Sequence, residues 1–167
     1  MSEPGIRVAN TEDQSGLVGF LSRPEIDNMF VAPLSQRAVT IPERVKSKFG
    51  TGFWLVMESQ GDIIGCRGCN GVIGEAMDTV EFSTTALDPA YAGRGLGRML
   101  LQAGVDEAFS RYRPRRMILD SWTTNTAMKR AALAVGFTEG RVYADPEKRP
   151  PGVMSVEYVL DCASLRP

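Results

Sequence analysis

The chain has 167 residues and not one histidine. That absence excludes Ser-His-Asp and Cys-His nucleophilic machinery and every metal site that needs imidazole. Acid-base chemistry is left to carboxylates, tyrosine, cysteine, lysine or water. Cysteine is scarce as well: Cys66, Cys69 and Cys162, an odd count that makes no disulfide framework. Cys66 and Cys69 have C-x-x-C spacing but lie in strand-like sequence, with no second pair to complete a zinc site, so they read as ordinary thiols and no metal is expected. No apolar run of about 18 residues occurs, so no membrane span is expected. The start, Met1 to Gly5, lacks a basic segment leading into an apolar one, and the expected location is the cytoplasm. Net charge is −1, which gives no general attraction to nucleic acid.

What is present describes one globular domain over residues 1–167, long enough to bury a core unaided. Ile6 to Val8 reads as a short strand. Thr11 to Gln14 reads as a capping box opening a helix with Leu17, Val18 and Leu21 on its apolar side. Residues 23–37 read as a loop. Thr40 to Glu43 repeats the capping signal for a second helix. Phe53 to Glu58, the strand from Ile63, and Thr79 to Leu87 form a meander, with Gln60 to Asp62 as the first turn. A long helix runs from Gly95 to about Arg111 with Leu96, Met99, Leu100, Ala103, Val105, Ala108 and Phe109 on a broad buried face. Met117 to Trp122 is a strand, Asn125 caps a helix ending at Gly136, and Arg141 to Tyr143 and Met154 to Leu160 complete the strands. This order predicts an α/β (α+β) fold with one mixed, mostly antiparallel sheet of about seven strands flanked by helices.

The segment Tyr91 to Arg98 carries the clearest chemistry. Gly93, Gly95 and Gly97 sit between a strand and a helix, where free amides and the helix dipole favour a phosphate. Arg94 and Arg98 add positive charge. The spacing fits neither the P-loop nor the dinucleotide fingerprint, which would need glycine at Leu100 or Arg98.

Ala92-Gly-Arg-Gly95-Leu-Gly97 resembles the Q/R-x-x-G-x-G/A motif of the GNAT acyltransferase superfamily, with alanine in place of the leading residue. Leu87-Asp88-Pro89 and Tyr91 resemble that family's entry to the turn, and Asn125 precedes Gly136-Phe137 at the family's spacing. The resemblance extends from Ile6 to Leu160. It implies an N-acetyltransferase that uses acetyl-CoA, held between the strand ending at Leu87 and the strand 117–122. Backbone groups of Thr85, Ala86 and Leu87 would pair with the pantetheine arm. Ala92, Gly93, Arg94, Gly95, Leu96, Gly97 and Arg98 would hold the pyrophosphate, with Asn125 also at the cofactor. A backbone amide would polarise the thioester carbonyl, and an amine would attack directly.

The resemblance also implies Glu81 as the first candidate base, eleven residues before Ala92, and Asp120 as the second, five before Asn125. A family tyrosine that protonates the leaving thiolate corresponds to Ala132, and Tyr143 is the substitute within the following strand. Ala92 and Ala132 keep a second reading open, a non-catalytic acyl-CoA-binding or sensing module. The amine acceptor would be shaped by residues 27–33, including Met29 and Phe30, and by the loop Asp145 to Gly152, whose charges read as solvated. A homodimer is common in the family.

Overall fold

The computed structural model describes residues 3–165. Seven strands form one sheet: β1 (Gly5–Val8), β2 (Phe53–Ser59), β3 (Asp62–Ile73), β4 (Thr79–Leu87), β5 (Arg116–Trp122), β6 (Thr138–Ala144) and β7 (Met154–Asp161). Their spatial order is β1-β2-β3-β4-β5-β7-β6. Every pairing is antiparallel except β4 with β5. Among the described residues five α-helices flank the sheet: α1 (Gln14–Leu21), α2 (Pro24–Asp27), α3 (Ile41–Thr51), α4 (Leu96–Tyr112) and α5 (Thr126–Val135). The mixed, mostly antiparallel architecture is the expected one. No helix among the described residues is long and apolar enough to cross a membrane.

The period-two side-chain alternation of strands divides the core in two. Leu55, Met57, Cys69, Val80, Phe82, Met117, Leu119, Val156, Tyr158 and Leu160 pack with Leu100, Leu101, Val105 and Ala108 of α4 on one face. Trp54, Val56, Cys66 and Ala86 pack with Leu17, Phe20, Ile26, Leu34, Ile41 and Val45 on the other. Cys66 and Cys69 therefore point to opposite sides of the sheet as free, buried thiols. Burial pushes both thiols up, Cys66 to about 12 and Cys69 to about 11, so neither is a ready nucleophile.

Three local expectations need correction. The capping box belongs to Asn10, at the head of the 3-10 turn Thr11–Asp13 that leads into α1: its side chain accepts from the Glu12 amide while Asp13 accepts from the Asn10 amide, one residue before Thr11. Residues 23–37 are not wholly irregular. Pro24, at the first helical position, opens the single turn α2, and Ile26 and Leu34 are buried. Met99 stands 49% exposed on α4, while Leu101 and Gly104 take the buried side. The second capping box, Thr40 with Glu43, is as expected.

A backbone crossing ties α3 to β3. Gly71 has φ +87, and a Cβ there would lie 2.1 Å from the Thr51 carbonyl oxygen. Both the left-handed backbone and the close approach exclude a side chain. Gly71→Ala is expected to destabilise the fold by roughly 2–5 kcal/mol, combining left-handed strain with overpacking. Gly74→Ala, at φ +79 in open space, should lose only the backbone strain, about 1–2 kcal/mol. Urea unfolding of the two variants checks the difference.

Candidate active site between the diverging strands

β4 and β5 are paired at only three positions, Thr79, Val80 and Glu81 against Arg116, Met117 and Ile118. Beyond them the strands part, and the edge of β4 from Phe82 to Leu87 has no strand beside it on that side. The divergence coincides with a bulge. Thr84 has φ +47 and is skipped in the register, in which Ser83 faces Gly68 and Thr85 faces Arg67. A β-branched residue in the left-handed region is a strained exception. The extra residue kinks β4 just before Thr85, Ala86 and Leu87, and bulges of this kind re-aim a strand end.

β4 leads through Asp88, whose side chain caps the turn Pro89–Tyr91, into the glycine segment. Gly93 and Gly95 both have φ +75, and a Cβ at Gly93, Gly95 or Gly97 would touch nothing within 4 Å. From Gly93 to Arg98 no amide has an acceptor among the described residues; the next bond is Met99 N–H to Gly95 O. Consecutive unengaged amides at a helix start form an open anion cradle. Ala92, Arg94 and Arg98 are exposed there. Arg94 lies 5.3 Å over the Tyr91 ring and its Nη2 donates to the Ala90 carbonyl at 3.4 Å. Leu96 differs: its side chain is 7% exposed and belongs to the core.

The two candidate carboxylates share one face of the sheet. Val80, Phe82, Met117 and Leu119 enter the α4 side, so Glu81 and Asp120 face the α1–α3 side. Their surroundings differ. Glu81 Oε2 accepts from Asn70 Nδ2 at 2.7 Å, and Ser83 Oγ donates to Asn70 Oδ1 at 3.0 Å, so the carboxylate is oriented without a neutralising cation in contact. Asp120 accepts from Lys148 Nζ at 3.0 Å and from Arg149 Nη2 at 2.9 Å. Asp145 lies 3.9 Å from the same Lys148.

The loop 145–152 is thus not merely solvated: Arg149 is 7% exposed and clamped to β5 through Asp120. Tyr143 stands on this face too. Burial and then the charge of Asp120 push its phenol above the ordinary range, so it is a proton holder at neutral pH. Asn125 caps α5 by accepting from Met128 N–H at 3.1 Å and donates to Ser121 Oγ at 2.9 Å. Ala132 is fully buried against the α4-side core.

Sequence reasoning missed Asn70, Ser83, Lys48, Arg37 and Arg44. Asn70 and Ser83 are oriented by cross-strand pairing that only the register reveals. Lys48 had a faint signal, a lysine on the apolar side of α3. It is 3% exposed, its Nζ lies 5.0 Å over the Trp54 ring, and its stem lies against Gly68. Burial, then the charge of Arg44, pulls its ammonium down to about 8. A lysine depressed in the folded state binds fewer protons than when unfolded, so its burden on stability is full below about pH 8 and is relieved as pH rises toward its ordinary 10.5. Lys48→Met is therefore expected to stabilise the protein at pH 7 by about 2 kcal/mol. The gain should shrink between pH 8 and 10, and chemical denaturation of both proteins at matched pH measures it.

Comparison with known proteins agrees with this geometry. The family model for Acetyltransferase (GNAT) family matches residues 23–137. Comparison with curated proteins finds no match. Among solved structures, the Salmonella typhimurium protein yncA, solved with its cofactor acetyl-CoA, is 25% identical over 96% of this chain and 94% of its own, with a TM-score of 0.72. An N-acetyltransferase from Staphylococcus aureus Mu50 is 21% identical over 96% and 99%, TM-score 0.74. The ribosomal-protein-S5-alanine acetyltransferase of Vibrio fischeri is 14% identical over 100% and 97%, TM-score 0.76. With a family match over most of its length and the family's fold around a split sheet, this chain belongs to the GNAT acetyltransferase family.

Proposed function

We propose that the protein transfers an acetyl group from acetyl-CoA to a primary amine by direct attack. The observation that carries this reading is the conjunction of an unpaired β4 edge with the cradle of unengaged amides that follows it. Acetyl-CoA supplies an activated thioester. The amides from Gly93 to Arg98 suit its pyrophosphate, and Arg94 and Arg98 at the rim add charge without any leading polar side chain at Ala92. The edge at Thr85, Ala86 and Leu87 suits the pantetheine amides as an added strand, and the Thr84 bulge sets its direction. Asn125 holds the start of α5 on the opposite side of the gap.

Glu81 is assigned as the base. An alkyl ammonium has a pKa near 10, and a carboxylate that removes its proton, directly or through one water, frees the attacking lone pair. Asn70 fixes one oxygen of Glu81 and leaves the other available. Asp120 is assigned to positioning, because its two oxygens are engaged by Lys148 and Arg149. Tyr143, protonated at neutral pH, is the candidate donor to the departing thiolate. A thiol pKa near 8.5 makes that thiolate a fair leaving group even unaided.

Glu81→Gln should lower kcat/KM by about 10²–10⁴-fold near neutral pH and by less at high pH, where the amine is already free. A pH-rate profile identical to the wild type would remove Glu81 from the mechanism. Gly97→Asp tests the cradle. A carboxylate in the first turn of α4 favours the helix by the dipole, so the melting temperature should hold or rise. Affinity for coenzyme A should nevertheless fall at least about tenfold by like-charge repulsion. Calorimetric titration beside a melting curve separates the two effects.

A further inference from the structure

The face that carries Glu81 gathers more positive charge than its carboxylates neutralise. Arg37 follows the turn Leu34–Gln36, Arg44 lies on α3, and Lys148 and Arg149 lie between β6 and β7. Arg37 lies within electrostatic reach of Arg44, Arg149, Asp120 and Asp145, and Lys148 within reach of Glu81. Lys148 and Arg149 are matched by Asp120 and Asp145. Farther along the sheet, Glu157 is matched by Arg141 at 3.8 Å. Arg37 and Arg44 have no carboxylate partner among the described residues. Arg37 Nε donates to the Ala32 carbonyl at 2.9 Å, and its guanidinium lies 5.7 Å from the Phe30 ring. Arg44 is half-buried, and its Nε is a buried donor with no acceptor.

Two further buried polar atoms without partners lie on the same face, Arg149 Nε and Ser155 Oγ. Ser155 stands opposite both Trp122 and Tyr143 in the ladder. Buried donors without acceptors are rare and call for a partner. Guanidinium groups half out of water without an anion are costly, and the planar fork of arginine matches a carboxylate. Burial, then the charges of Arg44 and Arg149, lower Arg37 to about 10, and burial lowers Arg44 in the same direction.

We propose that the acceptor is a small primary amine bearing a carboxylate, an amino acid rather than a peptide N-terminus or a simple alkylamine, and that Arg44 and Arg37 hold that carboxylate while the amine faces Glu81. This deepens the acetyl-transfer reading and rests on it. A carboxylate-bearing acceptor supplies the anion that the arginines lack. Its ammonium finds Glu81, a carboxylate of the sheet on this face with no ion pair among the described residues. One molecule thereby satisfies both unmatched signs of charge. A peptide N-terminus brings an uncharged carbonyl at that position and leaves the arginines unpaired.

The test compares a panel of amino acids with their carboxamides and their decarboxylated amines, following release of free CoA from acetyl-CoA. The best amino acid should exceed its own carboxamide at least tenfold in kcat/KM. Arg44→Gln and, separately, Arg37→Gln should shrink that ratio at least fivefold, chiefly through KM, and Arg44→Lys should recover part of it. Acceptance of carboxamides as readily as amino acids, or a ratio indifferent to both arginine variants, overturns the inference and leaves acetyl transfer standing. If acetyl-CoA binds but no amine is acetylated, the acetyl-transfer reading fails instead. Equilibrium binding then decides the inference: amino acids should raise the melting temperature of the CoA-loaded wild type and not of the arginine variants. No shift in the wild type overturns it.

Discussion

Everything in this molecule that bears on chemistry depends on a hydrogen-bond ladder that stops. β4 and β5 pair for three residues and then separate. In most sheets the exposed edge would be a liability, open to any strand. Here the edge lies between two layers of helix, and its next chain segment is a glycine turn whose amides are also unengaged. Two kinds of unsatisfied backbone follow each other in the chain, one suited to amides and one to phosphate. The left-handed Thr84 is the hinge between the paired and unpaired lengths of β4.

The two sides of the sheet are specialised by the same alternation of side chains. The α4 side is largely apolar, with Arg67 its buried charge: fully buried, 5.4 Å from the Phe82 ring, and accommodated where Gly104 omits a side chain. The α1–α3 side begins as a core around Trp54 and becomes polar toward the gap. Lys48 marks the transition, its stem on the apolar part and its ammonium near the charged part. One residue of shift in β4 would exchange Glu81 for an apolar side chain.

Much of this was legible in the sequence where the cause is local. The Thr40–Glu43 box, the glycine turn, the Asn125 cap and the left-handed Gly136 all follow from spacing within a few residues. β4 runs over the residues expected from Thr79 and the Asp88-Pro89 stop. The misses are of two kinds. Asn10 and Thr11 are both good caps in adjacent positions, and the choice falls to tertiary contacts such as the Arg7–Asp13 pair. Thr84 carries no signal, since threonine is among the residues least suited to its backbone. Arg37, Arg44 and Lys148 come together from segments more than a hundred residues apart at the extremes, and no spacing rule reaches that far.

The clamp of Asp120 on Lys148 and Arg149 has an evolutionary side. It joins the loop Asp145 to Gly152, a wall of the proposed acceptor site, to a strand of the central sheet. A loop held only by its ends could be exchanged freely to suit a new acceptor. This one could be lengthened at Pro150 to Gly152 at little cost. Its charged stem, however, could be altered only with a compensating change on β5, because an orphaned Asp120 or Arg149 would be left partly out of water. If the proposed acceptor site is right, drift in acceptor preference is thus channelled toward the Arg37 and Arg44 side, where neither arginine is tied to a carboxylate among the described residues.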